Sequence, residues 1–233
     1  MLKFVLGSVL TSLVLAAHAG ESAKNVPIEG IGLDRTRVVI EDGASSGTFG
    51  LINDIGSPVI VTAWVTDLDG KMADAFVASP SLYQLANGKT GKGTVRLVSQ
   101  LPQDRESVFW LNVNTAPAVQ SRANQLAAAI GTRIKIFYRP DGLAGDARYA
   151  AERLRWSLKS NALHVDNPTA LSVSVSDVTV NGRTERVAQM VMPFSKLQLP
   201  VGKPNPEAGG VNTFTFVDEY GGFNELAMRM GAP

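Results

Sequence analysis

The feature that most constrains the fold of this chain is a segment of strict two-residue alternation near its middle. From Asn124 to Pro140 the sequence reads NQLAAAIGTRIKIFYRP. This period predicts a β-strand about twice the usual ~5–6 residues in length. One predicted face is apolar or threonine: Leu126, Ala128, Ile130, Thr132, Ile134 and Ile136. The other face becomes basic halfway along: Ala127, Ala129, Gly131, Arg133, Lys135 and Phe137. We predict that the first half of this strand is a surface that meets another polypeptide.

The first 19 residues have the pattern of a secretory signal peptide. Lys3 supplies a positive charge, an apolar run extends from Phe4 to Ala16, and Ala17-His18-Ala19 has the small-x-small pattern of a cleavage site. The alternative is a membrane helix, but the run is shorter than the ~20 residues that a span needs. We therefore expect the chain to be exported and residues 1–19 to be removed, and we expect no membrane insertion.

Composition excludes several classes of function. The chain has 22 basic and 21 acidic side chains, so there is no basic excess to attract nucleic acid. It has no cysteine, which excludes thiol catalysis and cysteine-ligated metals. His164 is the one histidine beyond the leader, and we expect neither a metal nor a cofactor. At 233 residues, two hydrophobic cores can form without disulfides.

Short β-rich runs separated by frequent turn signals predict an all-β protein of two β-sandwiches. We place the first domain at residues 20–140 and the second at 141–233, because a linker-like stretch follows Pro140. Asn181-Gly182 predicts a two-residue hairpin, and Gly88 to Gly93 predicts a turn. In the first domain we predict strands at Ile31–Ile40, Thr48–Ile52, Val59–Val65, Phe76–Val77, Thr94–Val98 and Ser107–Val113. In the second we predict a helix at Ala147–Arg155 and strands at Trp156–Leu158, Ala162–Val165, Leu171–Val180, Ala188–Met192, Ser195–Leu199 and Asn212–Val217.

Two enzyme-like motifs do not carry the context that their chemistry requires. The sequence from Gly43 to Gly47 matches the G-x-S-x-G nucleophile elbow, but a β-rich run follows it instead of a helix. Gly88-Lys89-Thr90 resembles the end of a phosphate-binding loop, yet Tyr83 stands where the first glycine should be. We therefore predict that the protein is not an enzyme, with a hydrolase using Ser45 as a weak alternative.

Three separated stretches resemble the signature segments of the periplasmic pilus-assembly chaperones, the PapD-like family. They are Leu33 to Arg37 (LDRTR), Leu101 to Phe109 (LPQDRESVF) and Thr132 to Pro140 (TRIKIFYRP). Asn167-Pro168-Thr169 and Tyr220-Gly221-Gly222 are similar to further marks of the family. The resemblance covers essentially the whole chain after the leader.

This resemblance implies a fold of two immunoglobulin-like β-sandwich domains in an L, or boomerang, arrangement. It implies that the chain binds pilus or fimbrial subunits by lending them a strand, a mode of strand addition that the family exemplifies. It would thereby prevent subunit aggregation in the periplasm and deliver subunits to an outer-membrane usher. Leu126, Ala128 and Ile130 would fill the groove of the subunit, and Ala128 stands where a bulky residue is usual.

The resemblance also implies roles for five charged residues. Arg37 and Lys135 would bind the C-terminal carboxylate of the subunit, and Glu106, Arg139 and Glu219 would form an interdomain salt-bridge network. Glu219 stands where the family usually has aspartate, and Asp218 is the alternative partner. The free chain could self-associate through the same strand. The alternative function is a structural pilus subunit or an adhesin-like two-domain β module.

Overall fold

We describe a computed structural model of the chain at residues 30–41, 43–118, 128–159, 162–199, 201 and 211–230. The predicted leader, 1–19, and the predicted groove-filling residue Leu126 lie outside these ranges. Within them, no helix is long and apolar enough to cross a membrane.

The described ranges form two β-sandwiches and one short helix, which confirms the predicted fold class. The first sandwich contains β1 (Gly30–Leu33), β2 (Arg37–Ile40), β3 (Ser46–Asp54), β4 (Val59–Thr66), β5 (Phe76–Ser79), β6 (Leu82–Leu85), β7 (Lys89–Leu97), β8 (Ser107–Pro117) and β9 (Ile130–Tyr138). The second contains α1 (Ala147–Ala151), β10 (Arg155–Lys159), β11 (Ala162–Asp166), β12 (Val173–Val180), β13 (Arg183–Val191), β14 (Lys196–Leu199), β15 (Thr213–Val217) and β16 (Phe223–Ala227).

The first sandwich packs a sheet of order β1-β3-β7-β5 against a sheet of order β2-β9-β8-β4-β6. Alternation along the strands puts apolar side chains between the sheets, so that Val61, Val95, Leu111 and Ile136 are fully buried. In β9, the side chains of Ile134 and Ile136 point between the two sheets and belong to this core.

The second sandwich packs a sheet of order β10-β11-β14 against one of order β13-β12-β15-β16. Its core is centred on Trp156 and Phe214, whose ring centroids are 4.9 Å apart. The predicted hairpin at Asn181-Gly182 is confirmed. Both residues have positive φ, 48° and 76°, as a tight turn between β12 and β13 requires.

The predicted turn at Gly88–Gly93 is confirmed only at Gly88, which lies in a turn with a φ of 67°. Lys89 to Gly93 instead begin β7 and pair with β3. The glycines are there because aromatic rings cover them. A Cβ on Gly93 would collide with the Phe49 ring, and one on Gly91 would lie 2.8 Å from the Tyr83 hydroxyl. Sequence alone does not distinguish this use of glycine from a turn.

The single strand predicted at Ile31–Ile40 is two strands in different sheets. β1 pairs with β3, whereas β2 pairs with β9. Asp34 makes the corner between them, since its carboxylate accepts a hydrogen bond of 2.9 Å from the Gly50 amide. The chain therefore enters the second sheet at Arg37.

The predicted helix at Ala147–Arg155 is shorter than expected. α1 ends at Ala151, and its first turn is capped by Asp146, whose carboxylate accepts from the Tyr149 amide at 2.7 Å. Leu154 and Trp156 are then both buried in the second core with the period of a strand. That alternation favours β10 over continued helix.

Candidate functional site

The long alternating strand is shorter than its sequence predicts. β9 begins at Ile130, and the described residues Ala128 and Ala129 precede it as exposed, non-strand chain. Ile130 is 48% exposed, whereas Ile134 and Ile136 are 7% and 0% exposed. One alternating face therefore passes from solvent into the core along a single strand.

The N-terminal half of β9 has a strand partner on one side within the described residues. β8 pairs antiparallel with all of β9, from Thr115 opposite Ile130 to Ser107 opposite Tyr138. On the other side, β2 pairs parallel with β9 from Lys135 onward. The edge from Ile130 to Ile134 therefore presents backbone N–H and C=O groups that can pair with another chain.

Arg37 and Lys135 lie at the inner end of this edge. They are directly opposite each other, because Arg37 is the first residue of β2 and its register partner in β9 is Lys135. Both donate to the second domain: Arg37 Nη1 to the Val217 carbonyl at 3.1 Å, and Lys135 Nζ to the Ser174 hydroxyl at 3.4 Å. The two cations thus lie where the domains meet.

The two positive charges are not neutralised by an ion pair among the described side chains. Burial, together with the neighbouring Arg37 charge, lowers the pKa of Lys135 to about 8. Burial also lowers the pKa of Arg37, and its Nε is buried without a hydrogen-bond partner. Two adjacent, partly desolvated cations are an arrangement that favours an anion, and a carboxylate in particular.

A layer of aromatic rings supports the cations. The Arg37 guanidinium lies over the Phe137 ring at 5.5 Å, and the Lys135 ammonium lies over the Trp110 ring at 5.6 Å. Arg133 lies over the same indole at 4.6 Å. These contacts are within cation–π range and hold the charged groups against the sheet.

Beside the cations, a second charged cluster joins the two domains. Arg139 is 8% exposed and pairs with three carboxylates: Glu41 at 2.8 Å, Glu106 at 3.2 Å and Glu219 at 3.1 Å. The structure therefore brings together the three residues named from the sequence. Glu41 was missed, because it follows β2 in an acidic turn and no local pattern relates it to Arg139.

Glu106 makes the most buried contacts of this cluster. Its carboxylate accepts from the Ser172 amide at 2.9 Å, and its own amide donates to the Ala170 carbonyl at 2.8 Å. Burial raises its pKa, and Arg139 opposes that rise. Asn167 shapes the loop that supplies these partners, since its side-chain amide donates to the carbonyls of Leu171, Val191 and Met192.

Glu219 and Asp218 have separate tasks. Glu219 contacts Arg139 and also accepts from the Ala147 amide at 2.5 Å. Asp218 instead closes the following turn by accepting from the amides of Tyr220 and Gly222. Gly221, at a φ of 90°, lies so close to Thr36 of the first domain that a Cβ would collide with it. The glycine permits the close approach of the two domains here.

The serine of the G-x-S-x-G match and the histidine lie in different sandwiches. Ser45 lies in the bend before β3 and is not followed by a helix, and His164 lies on β11 of the second sandwich. Among the described residues, no group of three or more histidine or acidic side chains could hold a metal ion.

The chain matches two protein families over most of its length. Residues 30–144 match the family described as "Pili and flagellar-assembly chaperone, PapD N-terminal domain". Residues 149–227 match the "Pili assembly chaperone PapD, C-terminal domain".

Similar proteins carry related descriptions. The chain is 32% identical to the probable fimbrial chaperone LpfB of Escherichia coli O157:H7, over 89% of this chain and 91% of the relative. It is 33% identical to the chaperone protein FimC of Escherichia coli K12, over 82% and 80%. Among solved structures, it resembles the SafB chaperone in complex with the SafA pilin from Salmonella enterica, with a TM-score of 0.76, 25% identity, and coverage of 85% of this chain and 96% of that chain. For the Escherichia coli chaperone DraB the TM-score is 0.73, with 26% identity and coverage of 87% and 97%.

Proposed function

The chain belongs to the PapD-like family of pilus-assembly chaperones, and from that membership we propose how its two sandwiches bind a pilus subunit. It is a fimbrial chaperone by family and by the names of its relatives. The observation that supports the proposal is the edge of β9 from Ile130 to Ile134, which no described strand pairs with and which ends at two adjacent cations.

A subunit strand lies along Ile130–Ile134 and extends the five-stranded sheet. Its C-terminal carboxylate reaches Arg37 and Lys135, which lie at the C-terminal end of that edge. A strand that ends there must run in the same direction as β9. The bound strand is therefore parallel to β9, and its backbone pairing fixes the register.

The exposed side chains at the start of the strand fill the groove of the subunit. Burial of Ile130, now 48% exposed, contributes ~1.5–3 kcal/mol at most. Ala128 fills its subpocket less completely than a larger side chain would. Leu126 is proposed as the third groove-filling residue by alternation with these two.

The carboxylate anchor sets which residue enters which subpocket. Each hydrogen bond from Arg37 or Lys135 to a carboxylate contributes ~1.5–3 kcal/mol, because donor and acceptor are both charged. The lowered pKa of Lys135 supports this role, since a bound anion would relieve the repulsion from Arg37.

We assign the cluster around Arg139 to holding the two domains, 20–140 and 141–233, in a fixed arrangement. The signal peptide at residues 1–19 directs the chain to the periplasm, where it passes subunits to an outer-membrane usher. Exchange of the chaperone strand for a strand of the next subunit releases the guest, so no cofactor and no enzymatic step is needed. The free chain is able to self-associate through the same edge.

The alternative function, a structural pilus subunit or adhesin, is less well supported. The relatives that match most of the chain are named as chaperones. A subunit also needs a donor extension of alternating apolar residues, and residues 20–29 lack that pattern.

The test is co-expression with a cognate pilin subunit. Arg37→Ala and Lys135→Ala should reduce the recovered complex at least tenfold, because each removes a charged bond to the carboxylate. Arg96→Ala and Lys92→Ala are matched controls, since both cations are exposed on β7 in the opposite sheet.

The chaperone variants should retain the wild-type melting temperature, measured by circular dichroism. Recovery equal to wild type with both Arg37→Ala and Lys135→Ala would refute the proposed binding of the subunit carboxylate by these two residues.

A further inference from the structure

Arg133 is a cation near Lys135 that the proposed function leaves without a role. It lies two residues before Lys135 in β9, so both side chains project from the same face of the sheet, away from the core. It is exposed, and it forms no ion pair with any described residue. Its charge is therefore available to a binding partner.

Trp110 fixes the position of this charge. The half-buried indole is directly opposite Lys135 in the β8–β9 register, and the Arg133 guanidinium lies over it at 4.6 Å. Stacking on an aromatic face restricts the long arginine side chain, while the edge of its guanidinium stays open to solvent. Arg133 is thus pre-organised before a guest arrives.

The unpaired edge includes Arg133. β2 begins opposite Lys135, so the strand position beside Arg133 is unoccupied by any described strand. A guest strand on that edge would lie about 4.8 Å from β9, so that a side chain on its outward face would be beside Arg133. Opposite charges at such a position stabilise the pair of strands, and like charges destabilise it.

We propose that Arg133 binds a carboxylate side chain near the C-terminal end of the guest strand. The chain therefore prefers pilin subunits that carry Asp or Glu at that position. This inference rests on the proposed function, because it requires the guest to occupy the edge of β9. It adds a second anionic contact, to a side chain, beside the contact to the terminal carboxylate.

The experiment uses a cognate pilin subunit, with Asp introduced one residue at a time along its C-terminal end. Each variant competes with the unmodified subunit for wild-type chaperone and for Arg133→Gln. Glutamine keeps a flat amide that can stack on Trp110 but removes the charge, so it is the matched control.

With wild-type chaperone, Asp should raise capture roughly two- to fivefold at alternate positions on the Arg133 face. Arg133→Gln should abolish that gain, and with Arg133→Glu as a further variant Asp should lower capture at the same positions, because like charges then lie side by side. At the intervening positions, whose side chains point to the opposite face, Arg133 should have no effect. An equal response of wild type and Arg133→Gln at every position would overturn the inference.

Two further measurements distinguish this inference from the proposed function. If the unmodified subunit is captured and Lys135→Ala abolishes its capture, a missing Arg133 effect refutes the side-chain contact alone. If wild-type chaperone fails to capture the unmodified subunit, both proposals fail.

Discussion

At the scale of single residues, the sequence predicted which side chains would meet but not all of their neighbours. Glu106, Arg139 and Glu219 are far apart in the chain, and the resemblance to a family was needed to relate them. Glu41 belongs to the same cluster but has no sequence signal, because its turn contains two acidic residues with nothing to distinguish them. Nor does sequence reveal that Asp218 is occupied by its own turn, which leaves Glu219 to contact Arg139.

The pKa of Lys135 gives a pH dependence of guest binding. Its pKa in the free chain is about 8, below the model-compound value of 10.5. A bound carboxylate would raise it again, so above pH 8 the complex binds more protons than the free chain and affinity falls as pH rises. Between pH 7 and pH 9 we expect roughly tenfold weaker binding of a pilin subunit, measured as a dissociation constant.

Lys135→Arg is the control for this titration. An arginine stays charged throughout the interval, so its complex should lose little affinity between the same two pH values. A loss as large as that of wild type would show that another group is responsible. The effect of pH on the stability of the free chain has the opposite sign. The unfolded chain binds more protons between pH 8 and 10.5, and the contribution of Lys135 to the free energy of unfolding rises with pH there.

At the scale of elements, alternation predicted the β9 strand and its core face, but it placed the beginning of the strand too early. Alternating apolar residues before Ile130 have the pattern of a strand whether or not a partner strand is present, and β8 begins to pair with β9 at Ile130. In β7 the error was the opposite one, because the beginning of a strand was predicted to be a turn. Its glycines, Gly91 and Gly93, accommodate aromatic rings. Turn composition alone does not reveal what packs on a glycine.

Because Ile130 lies at the exposed start of β9, its role in subunit binding can be tested without destabilising the fold. Ile130→Asp should leave the free energy of unfolding within about 0.5 kcal/mol of wild type, because the side chain is nearly half exposed. It should nevertheless abolish subunit capture, since a carboxylate would be buried in an apolar groove.

Val77→Asp is the matched control, because Val77 is 51% exposed on β5 of the opposite sheet. Subunit capture and urea unfolding should be measured for both variants. Equal loss of capture in the two would contradict the assignment of Ile130 to the groove.

At the scale of the whole molecule, frequent turn signals predicted two all-β domains, and the structure confirms that class of fold. The order of strands within each sheet was not predictable, because it depends on pairing between residues far apart in sequence. The same is true of the joint, where loops from both domains converge on Arg139. Short-range patterns carry no information about such contacts.

The charged cluster around Arg139 predicts that one substitution will lower the free energy of unfolding of both domains. Arg139→Ala leaves Glu106, which is 2% exposed, buried without its charged partner. Loss of one member of a buried pair typically costs ~3–5 kcal/mol of unfolding free energy. Urea unfolding should therefore shift to lower concentration and separate into two transitions, followed by the fluorescence of Trp64 and Trp110 in one domain and Trp156 in the other.

Arg148→Ala provides the comparison for this substitution. Its partner is Glu152, and both side chains are about half exposed, so its loss should change the unfolding free energy by less than ~1 kcal/mol. An Arg139→Ala protein that unfolds like Arg148→Ala would show that the joint contributes little.

Because the two faces of β9 differ in exposure, the choice of subunit and the stability of the fold can be redesigned separately. Ile134 and Ile136 hold the sandwich together, whereas Gly131 and Arg133 face outward beside the edge. A mutant library at Arg133 should alter which subunit is accepted with little penalty in folding yield, whereas a side chain at Gly131 would displace the Asn114 amide, which is 2.9 Å from the position of its Cβ. The outward face of β9 can therefore be changed to alter subunit preference while its inward face keeps the sandwich folded.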